Sequence, residues 1–121
     1  MDDHRVLRQQ TGVAVALGEA ERARYRFREL LIREAEDVIR AGVGRTGLSE
    51  YLSVVDLAQA FHRQVAPRAS TGLGICTATS IHLCAAIPNL YLLGYKPKLV
   101  KLANQYLTSP LVYQNGTFQT L

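Results

Sequence analysis

Few residues of this chain combine the type and the spacing that chemistry requires. Glu19 follows an apolar run, and its carboxylate either binds a cation or favours the positive end of a helix that begins there. Ser70 and Ser80 have no base at a spacing that would activate a nucleophile, and His82 lies in a helical pattern that favours a structural role. Residues 72–74, Gly-Leu-Gly before a helix, either cradle an anion or form a plain turn. The rest of a phosphate-binding motif is missing, which favours the turn.

The composition is typical of one globular domain. The chain has 121 residues, of which 48% are apolar and 20% are charged. No apolar run reaches the ~20 residues that a membrane span needs, and the polar residues 1–5 do not resemble a secretory signal. A cytoplasmic location without a membrane partner is expected. The net charge of +4 arises from basic residues scattered among Asp and Glu, which predicts solvated faces and no nucleic-acid partner.

The elements that would position these residues alternate along the chain. Short apolar runs predict four buried strands, over residues 13–17, 37–41, 64–67 and 90–93. Amphipathic periodicity predicts four helices, over residues 21–36, 50–62, 75–86 and 99–106. Ser49 is a plausible N-cap of the second helix, and residues 70–74 are rich in turn formers. Asn115 and Gly116 lie between two strand-like runs and predict a C-terminal hairpin.

Strands that alternate with amphipathic helices predict an α/β fold with parallel strands covered by helices. No low-complexity segment or long linker interrupts the pattern, so residues 1–121 are expected to form a single domain. Periodicity alone leaves two architectures open, a doubly wound sheet and a piece of a (β/α)8 barrel.

Four segments in order carry a resemblance to a known family. They are VALGE at residues 15–19, DVIRAGVGRTG at 37–47, VAPRAS at 65–70 and IHLCAAIPN at 81–89. This set resembles barrel strands five to eight of the mandelate racemase/muconate lactonizing enzyme group of the enolase superfamily, and residues 111–119 resemble that group's closing segment. The resemblance implies a partial TIM (β/α)8 barrel, four parallel strands with outer helices, and a hairpin-like tail.

The resemblance also implies a site at the carboxyl ends of the barrel strands. In that family, Mg²⁺ held by three carboxylates stabilises the enediolate that forms when a base removes the proton alpha to a substrate carboxylate. The metal ligands come from strands three, four and five, the His–Asp acid/base pair from strands seven and six, and a further acid often from strand eight. Glu19 matches the third metal ligand, in the family's Gly-Glu pair.

The acid/base positions depart from the family pattern. Gly42 replaces the strand-six Asp, Arg68 replaces the strand-seven His, and Gly94 replaces the strand-eight acid. Glycine cannot orient an imidazole, and arginine keeps its proton at physiological pH and therefore cannot act as a general base. The resemblance therefore implies that no catalytic position is intact and that Glu19 is a remnant metal ligand, which alone is a weak Mg²⁺ site.

Other parts of the family's machinery have no counterpart in these 121 residues: the Lys-x-Lys base of strand two, the first two metal ligands and the capping domain. The resemblance thus implies a truncated relative of Mg-dependent acid-sugar dehydratases and racemases that is inactive alone and binds no Mg²⁺ by itself. Two alternatives stay open. One is half of a split enzyme, which would take a small carboxylate substrate only when a partner chain completes it, and the other is a non-catalytic interaction protein.

A half-barrel would leave two strand edges unpaired, so self-association or pairing with another half-barrel is expected. The exposed apolar surface would include Leu17, Ile39, Val65 and Leu92. The matched positions also place Arg68 and Glu19 on neighbouring strands. We therefore expect the Arg68 guanidinium to approach the Glu19 carboxylate and to fill the space of the lost metal.

Overall fold

The computed structural model of the chain describes residues 2–69, 72 and 74–120. The helices are α1 Asp2–Thr11, α2 Arg24–Ile32, α3 Val43–Thr46, α4 Leu48–Ala60, α5 Gly74–Ala86 and α6 Pro97–Ala103. The strands are β1 Ala16–Leu17, β2 Val38–Ile39, β3 Gln64–Val65, β4 Arg68–Ala69, β5 Gly94–Tyr95, β6 Tyr113–Gln114 and β7 Thr117–Phe118. The predicted alternation of strands and helices is therefore confirmed, and the fold is mixed α/β.

The first five strands are all parallel to their neighbours. β1 pairs with β2 and β2 pairs with β3, with Leu17 opposite Ile39 and Ile39 opposite Val65. The chain leaves β3, enters β4 within three residues, and β4 then pairs with β5. A parallel bridge between Val65 and Leu90 joins the two sheets. The carboxyl ends of these strands therefore lie along a common edge of the fold.

The main core lies between the parallel strands and the helices α2 and α4. Phe27 of α2 and Tyr51 and Val54 of α4 are fully buried there. Ile39 and Val65 are also fully buried in this cluster, so their predicted place on an exposed apolar face is wrong. Alternate residues of a strand point to opposite sides, and these two point toward the helices. Leu17 is partly buried against the same cluster, and only Leu92 of the predicted set is exposed.

Several helices and element boundaries differ from the sequence predictions. Helix α1 was not predicted because it has no apolar stripe: it buries none of its residues. The four-residue α3 was also not predicted. Ser49 lies inside α4, and the N-cap is Gly47, whose φ of 83° suits glycine better than a residue with a Cβ. The last parallel strand begins at Gly94, just after the predicted run at 90–93.

The predicted C-terminal hairpin is confirmed and docks through aromatic rings. β6 and β7 are antiparallel, and the turn between them has positive φ at Asn115 (51°) and Gly116 (83°). The rings of Tyr95, Tyr113 and Phe118 lie 4.9 to 5.0 Å apart between centroids. These contacts hold the hairpin against β5 and build a second, smaller apolar cluster around Ile81, Val100 and Leu111.

None of the helices in the described part of the chain is long and apolar enough to cross a bilayer. Three residues of the turn predicted over residues 70–74 lie outside the described residues, namely Ser70, Thr71 and Leu73. The prediction that Ser70 is not a nucleophile therefore stays a prediction.

Candidate functional site

The positions matched to the family's acid/base residues meet beyond the carboxyl ends of β2 and β3, where Arg68 and Gly94 pair as the first residues of β4 and β5. Gly42 comes shortly after β2 and is the N-cap of α3, and a Cβ built on it would lie 3.8 Å from the Arg68 carbonyl oxygen. A Cβ built on Gly94 would lie 3.7 Å from the carbonyl oxygen of Pro67, the residue before Arg68. The fold therefore brings Gly42, Arg68 and Gly94 together, and both glycine positions have ordinary van der Waals room for a side chain.

Glu19 and Arg68 form an ion pair at this edge, between Glu19 Oε1 and Arg68 Nη1. The expected approach of these two side chains is thus confirmed, but their expected place on neighbouring strands is wrong, because Glu19 follows β1 and Arg68 begins β4, which belongs to a different sheet. The Arg68 side chain is 19% exposed and the Glu19 side chain is 52% exposed, so the pair lies at the mouth of the strand edge with the cation on the buried side. The one carboxylate matched to a metal ligand is therefore already neutralised by a side chain of the same chain.

Gly18 sets the direction in which Glu19 leaves β1. Its φ is 109°, a value that residues with a Cβ rarely adopt. A Cβ on Gly18 would lie only 2.7 Å from Cε1 of the buried Phe27. Glycine is required here because the backbone must turn and must also pass against the Phe27 ring.

A small basic cleft lies beside the ion pair. Its volume is about 90 Å³, and its lining includes Arg40, Arg68, Gly94 and Lys96. Arg40 follows the last residue of β2, and its Nη2 lies 4.0 Å from the place where a Cβ of Gly94 would be. Sequence reasoning missed Arg40, although a basic residue inside the apolar run 37–41 was a usable signal. We name this feature the basic cleft.

The donor set at this edge does not fit a divalent cation. Magnesium sites use several oxygen ligands, and carboxylates dominate them. Within residues 2–69, 72 and 74–120, no three His, Cys, Asp or Glu side chains are grouped so that they could hold a metal ion. Glu19 is paired with Arg68, and the neighbouring side chains Arg40 and Lys96 are cationic. These charges would repel a metal ion where the family pattern would place one.

Acidic groups are instead buried at the opposite, amino ends of the strands. Asp37 accepts a hydrogen bond from Arg8 Nε at 2.6 Å and another from the backbone N–H of Val15 at 3.0 Å. Partial burial opposes ionisation, but these two donors still hold the pKa of Asp37 below its usual range. Glu36 is fully buried beside it, and burial raises its pKa to about 7. In barrel folds this end serves stability.

The remaining candidates from the sequence have structural surroundings. The Ser80 hydroxyl is buried and donates to the Cys76 carbonyl oxygen one turn earlier, at 2.8 Å. His82 is exposed on α5. Neither residue lies in the lining of the basic cleft, so the structure does not bring them to the strand edge that holds Glu19 and Arg68.

Replacing Glu19 by alanine is expected to lower the free energy of unfolding by about 1 kcal/mol, because it leaves the mostly buried Arg68 cation without its partner. Urea denaturation at pH 7 measures this change. Glu21→Ala is the matched control, since Glu21 pairs at 3.3 Å with the more exposed Arg26, and we expect it to change stability by less than about 0.5 kcal/mol. Equal effects of the two substitutions would contradict a specific role for the Glu19–Arg68 pair.

Solved structures share this fold closely. A candidate isomerase from Sinorhizobium meliloti superposes with a TM-score of 0.92 at 22% identity over 98% of this chain and 31% of its own. A candidate L-alanine-DL-glutamate epimerase from Burkholderia xenovorans, bound to magnesium and fumarate, gives 0.90 at 20% identity over 99% and 30%. An enolase from Agrobacterium radiobacter, with bound Na and L-malate, gives 0.84 at 23% identity over 98% and 33%.

The chain therefore spans about a third of the length of these structures. No curated protein matches it in sequence. The model of the enolase C-terminal domain-like family matches residues 1–121.

Proposed function

We propose, from the premise that this chain belongs to the enolase C-terminal domain-like family, that its 121 residues do not carry out that superfamily's proton abstraction on their own. By descent it is a relative of Mg-dependent acid-sugar dehydratases and racemases. The observation that carries the proposal is the Glu19–Arg68 ion pair. In this pair, the Arg68 guanidinium lies beside the Glu19 carboxylate, where a metal ion would otherwise lie.

The chain's own residues explain why the acid/base chemistry is missing. A general base must accept a proton within hydrogen-bond reach of the reacting carbon. Arg68 holds its proton permanently, and Gly42 and Gly94 have no titratable group at all. In relatives that bind it, Mg²⁺ would supply the charge that stabilises an enediolate, but the basic surroundings of Glu19 do not support its binding here. Glu19 is in this proposal a remnant ligand that has become a structural partner of Arg68.

The architecture supports a single half-barrel domain over residues 1–121. Strands β1 to β5 run parallel to their neighbours, and α2 and α4 cover one face of the first three. These features support the proposal that the chain is half of a (β/α)8 barrel. It leaves β1 at one edge and β5 at the other, each with a single strand neighbour in the described part of the chain.

The open edges favour a second candidate function, in which the chain acts through a partner. Unpaired N–H and C=O groups at a strand edge are templates for pairing with another chain. The partner would be a second copy or another half-barrel, and a half-barrel with the missing carboxylates and lysines would create a split enzyme for a small carboxylate substrate. A chain that only self-associates would be a non-catalytic interaction protein.

Magnesium titration by isothermal calorimetry tests the first proposal, with the oligomeric state of the same sample measured by light scattering. We expect no binding at sub-millimolar affinity, because one neutralised carboxylate is a poor Mg²⁺ site. Glu19→Gln is the control, since heat that persists in this variant comes from elsewhere on the surface. Sub-millimolar binding that disappears in Glu19→Gln would overturn the proposal and show that Glu19 recruits further ligands.

A further inference from the structure

The basic cleft concentrates positive charge that nothing in the described chain fully balances. Arg40, Arg68 and Lys96 all line it, and the Glu19 carboxylate beside it is already paired with Arg68. Within the described residues, Arg40 has no carboxylate within 4.0 Å. Three cations that share one small space repel each other, and an anion placed among them would relieve that repulsion.

The space is open because Gly94, which lines it, has no side chain. A Cβ at Gly94 would lie within 4.0 Å of Arg40 Nη2, so any larger residue there would project toward the guanidinium. The cleft of about 90 Å³ is equivalent to roughly three water molecules at ~30 Å³ each, which is enough for one small oxyanion and too little for a large ligand.

We propose that the basic cleft binds a small oxyanion, a phosphate or a carboxylate group, directly through Arg40, Arg68 and Lys96 and without a divalent metal. Guanidinium groups present a planar fork of donors that matches both of these anions. Arg68 is only 19% exposed, and a partly buried charge is screened less by salt than an exposed one. Anion binding would be a role of its own, distinct from the missing proton abstraction, and the same edge of the strands would perform it without a metal.

Glu19 has a definite part in this proposal. Its carboxylate already occupies Arg68, and it therefore competes with an incoming anion for the same guanidinium. Removing its charge should strengthen anion binding, whereas a merely structural cluster of cations would only lose stability. Glu19→Gln is therefore expected to raise the affinity for the anion, whereas the arginine and lysine variants are expected to lower it.

The test is a titration of the full chain with inorganic phosphate and, separately, with malonate, in a chloride buffer of fixed ionic strength that contains EDTA. Phosphorus and proton NMR give the affinities. We expect Arg40→Gln to weaken binding about tenfold and Lys96→Gln about threefold, and we expect Glu19→Gln to tighten it about threefold. Lys101→Gln, at an exposed position on α6 away from the cleft, is the matched control and should stay within about twofold of the parent chain.

The relative affinities for phosphate and malonate identify which oxyanion the cleft prefers. Circular dichroism of each variant confirms that it is folded, and Arg40→Lys replaces Arg40→Gln if the latter fails to fold. Saturable binding that Arg40→Gln weakens and Glu19→Gln strengthens would support the proposal. Absence of saturable binding of both anions, or binding that no cleft variant changes, would overturn it. Since EDTA removes divalent metals, this result is independent of the magnesium titration.

Discussion

Gly18→Ala is expected to destabilise the fold by roughly 3 kcal/mol. Two costs add at this position. The backbone φ of 109° is strained for any residue with a Cβ, and the new methyl group would lie 2.7 Å from Phe27 Cε1. Phe27 is fully buried in the main core, so its ring cannot move away without disturbing α2 and α4. Urea denaturation at pH 7 measures the loss.

Gly12→Ala separates the two costs. Gly12 also has a positive φ, 66°, but a Cβ there would meet nothing within 4 Å. Its expected cost is the backbone strain alone, about 1 kcal/mol. If Gly18→Ala costs no more than Gly12→Ala, then the Phe27 ring is free to yield and the close approach does not hold the β1–α2 connection.

Glu36→Gln is expected to stabilise the protein at pH 8 and to leave it nearly unchanged at pH 5. Glu36 is fully buried, and neither carboxylate oxygen has a hydrogen-bond partner in the described part of the chain. Burial raises its pKa from 4.5 to about 7, although the positive charges of Arg63 and Arg8 act in the opposite direction and Asp37 adds to the increase. At about 1.4 kcal/mol per pKa unit, ionising this group in the folded state costs up to roughly 3 kcal/mol.

The direction of the pH dependence follows from which state, folded or unfolded, binds the Glu36 proton more tightly. Between pH 4.5 and about 7 the folded state keeps the proton on Glu36 while the unfolded chain releases it, so the free energy of unfolding falls as pH rises through this window. Above about pH 7 both states are ionised and the loss is complete. Glutamine cannot ionise, and the difference between the variant and the parent chain should therefore grow with pH and then level off.

Urea denaturation of both proteins from pH 5 to pH 8.5 provides the measurement. The matched control is Glu29→Gln on α2, whose carboxylate is 46% exposed and lies 4.0 Å from Arg33. Its effect should be small and nearly independent of pH. A pH-independent difference for Glu36→Gln would mean that the buried carboxylate stays ionised, held by Arg63, and that its pKa is not raised.

The sequence predicts the order of elements well because that order depends on local pattern. The apolar runs that became β1, β2 and β3 are flanked by helices with clear periodicity, and Asn115 and Gly116 have the backbone freedom that a two-residue hairpin turn requires. Helix α1 was not predicted because contacts with distant residues stabilise it. Arg8 donates hydrogen bonds to Asp37 and to the Glu34 carbonyl oxygen, and no local sequence pattern reveals these contacts.

The site was only partly predictable for a similar reason. The Glu19–Arg68 pair could be expected because the resemblance places both residues at the strand ends that form the family's site, although the two residues do not lie on neighbouring strands. The contribution of Arg40 could not be predicted, since it depends on the direction in which the Arg40 side chain reaches toward Gly94 of β5. The burial of Glu36 was equally hidden, because its sequence neighbours Glu34 and Asp37 are acidic too and packing alone decides which of the three is enclosed.

The Glu19–Arg68 ion pair also has an evolutionary consequence. Each partner now compensates the other, so replacing Arg68 alone leaves an anion at the mouth of the strand edge, and replacing Glu19 alone leaves a mostly buried cation. Substitutions at two such residues are not additive. The two positions are therefore expected to change together during evolution, since a substitution at either one alone gives a less stable protein than a matched pair of substitutions.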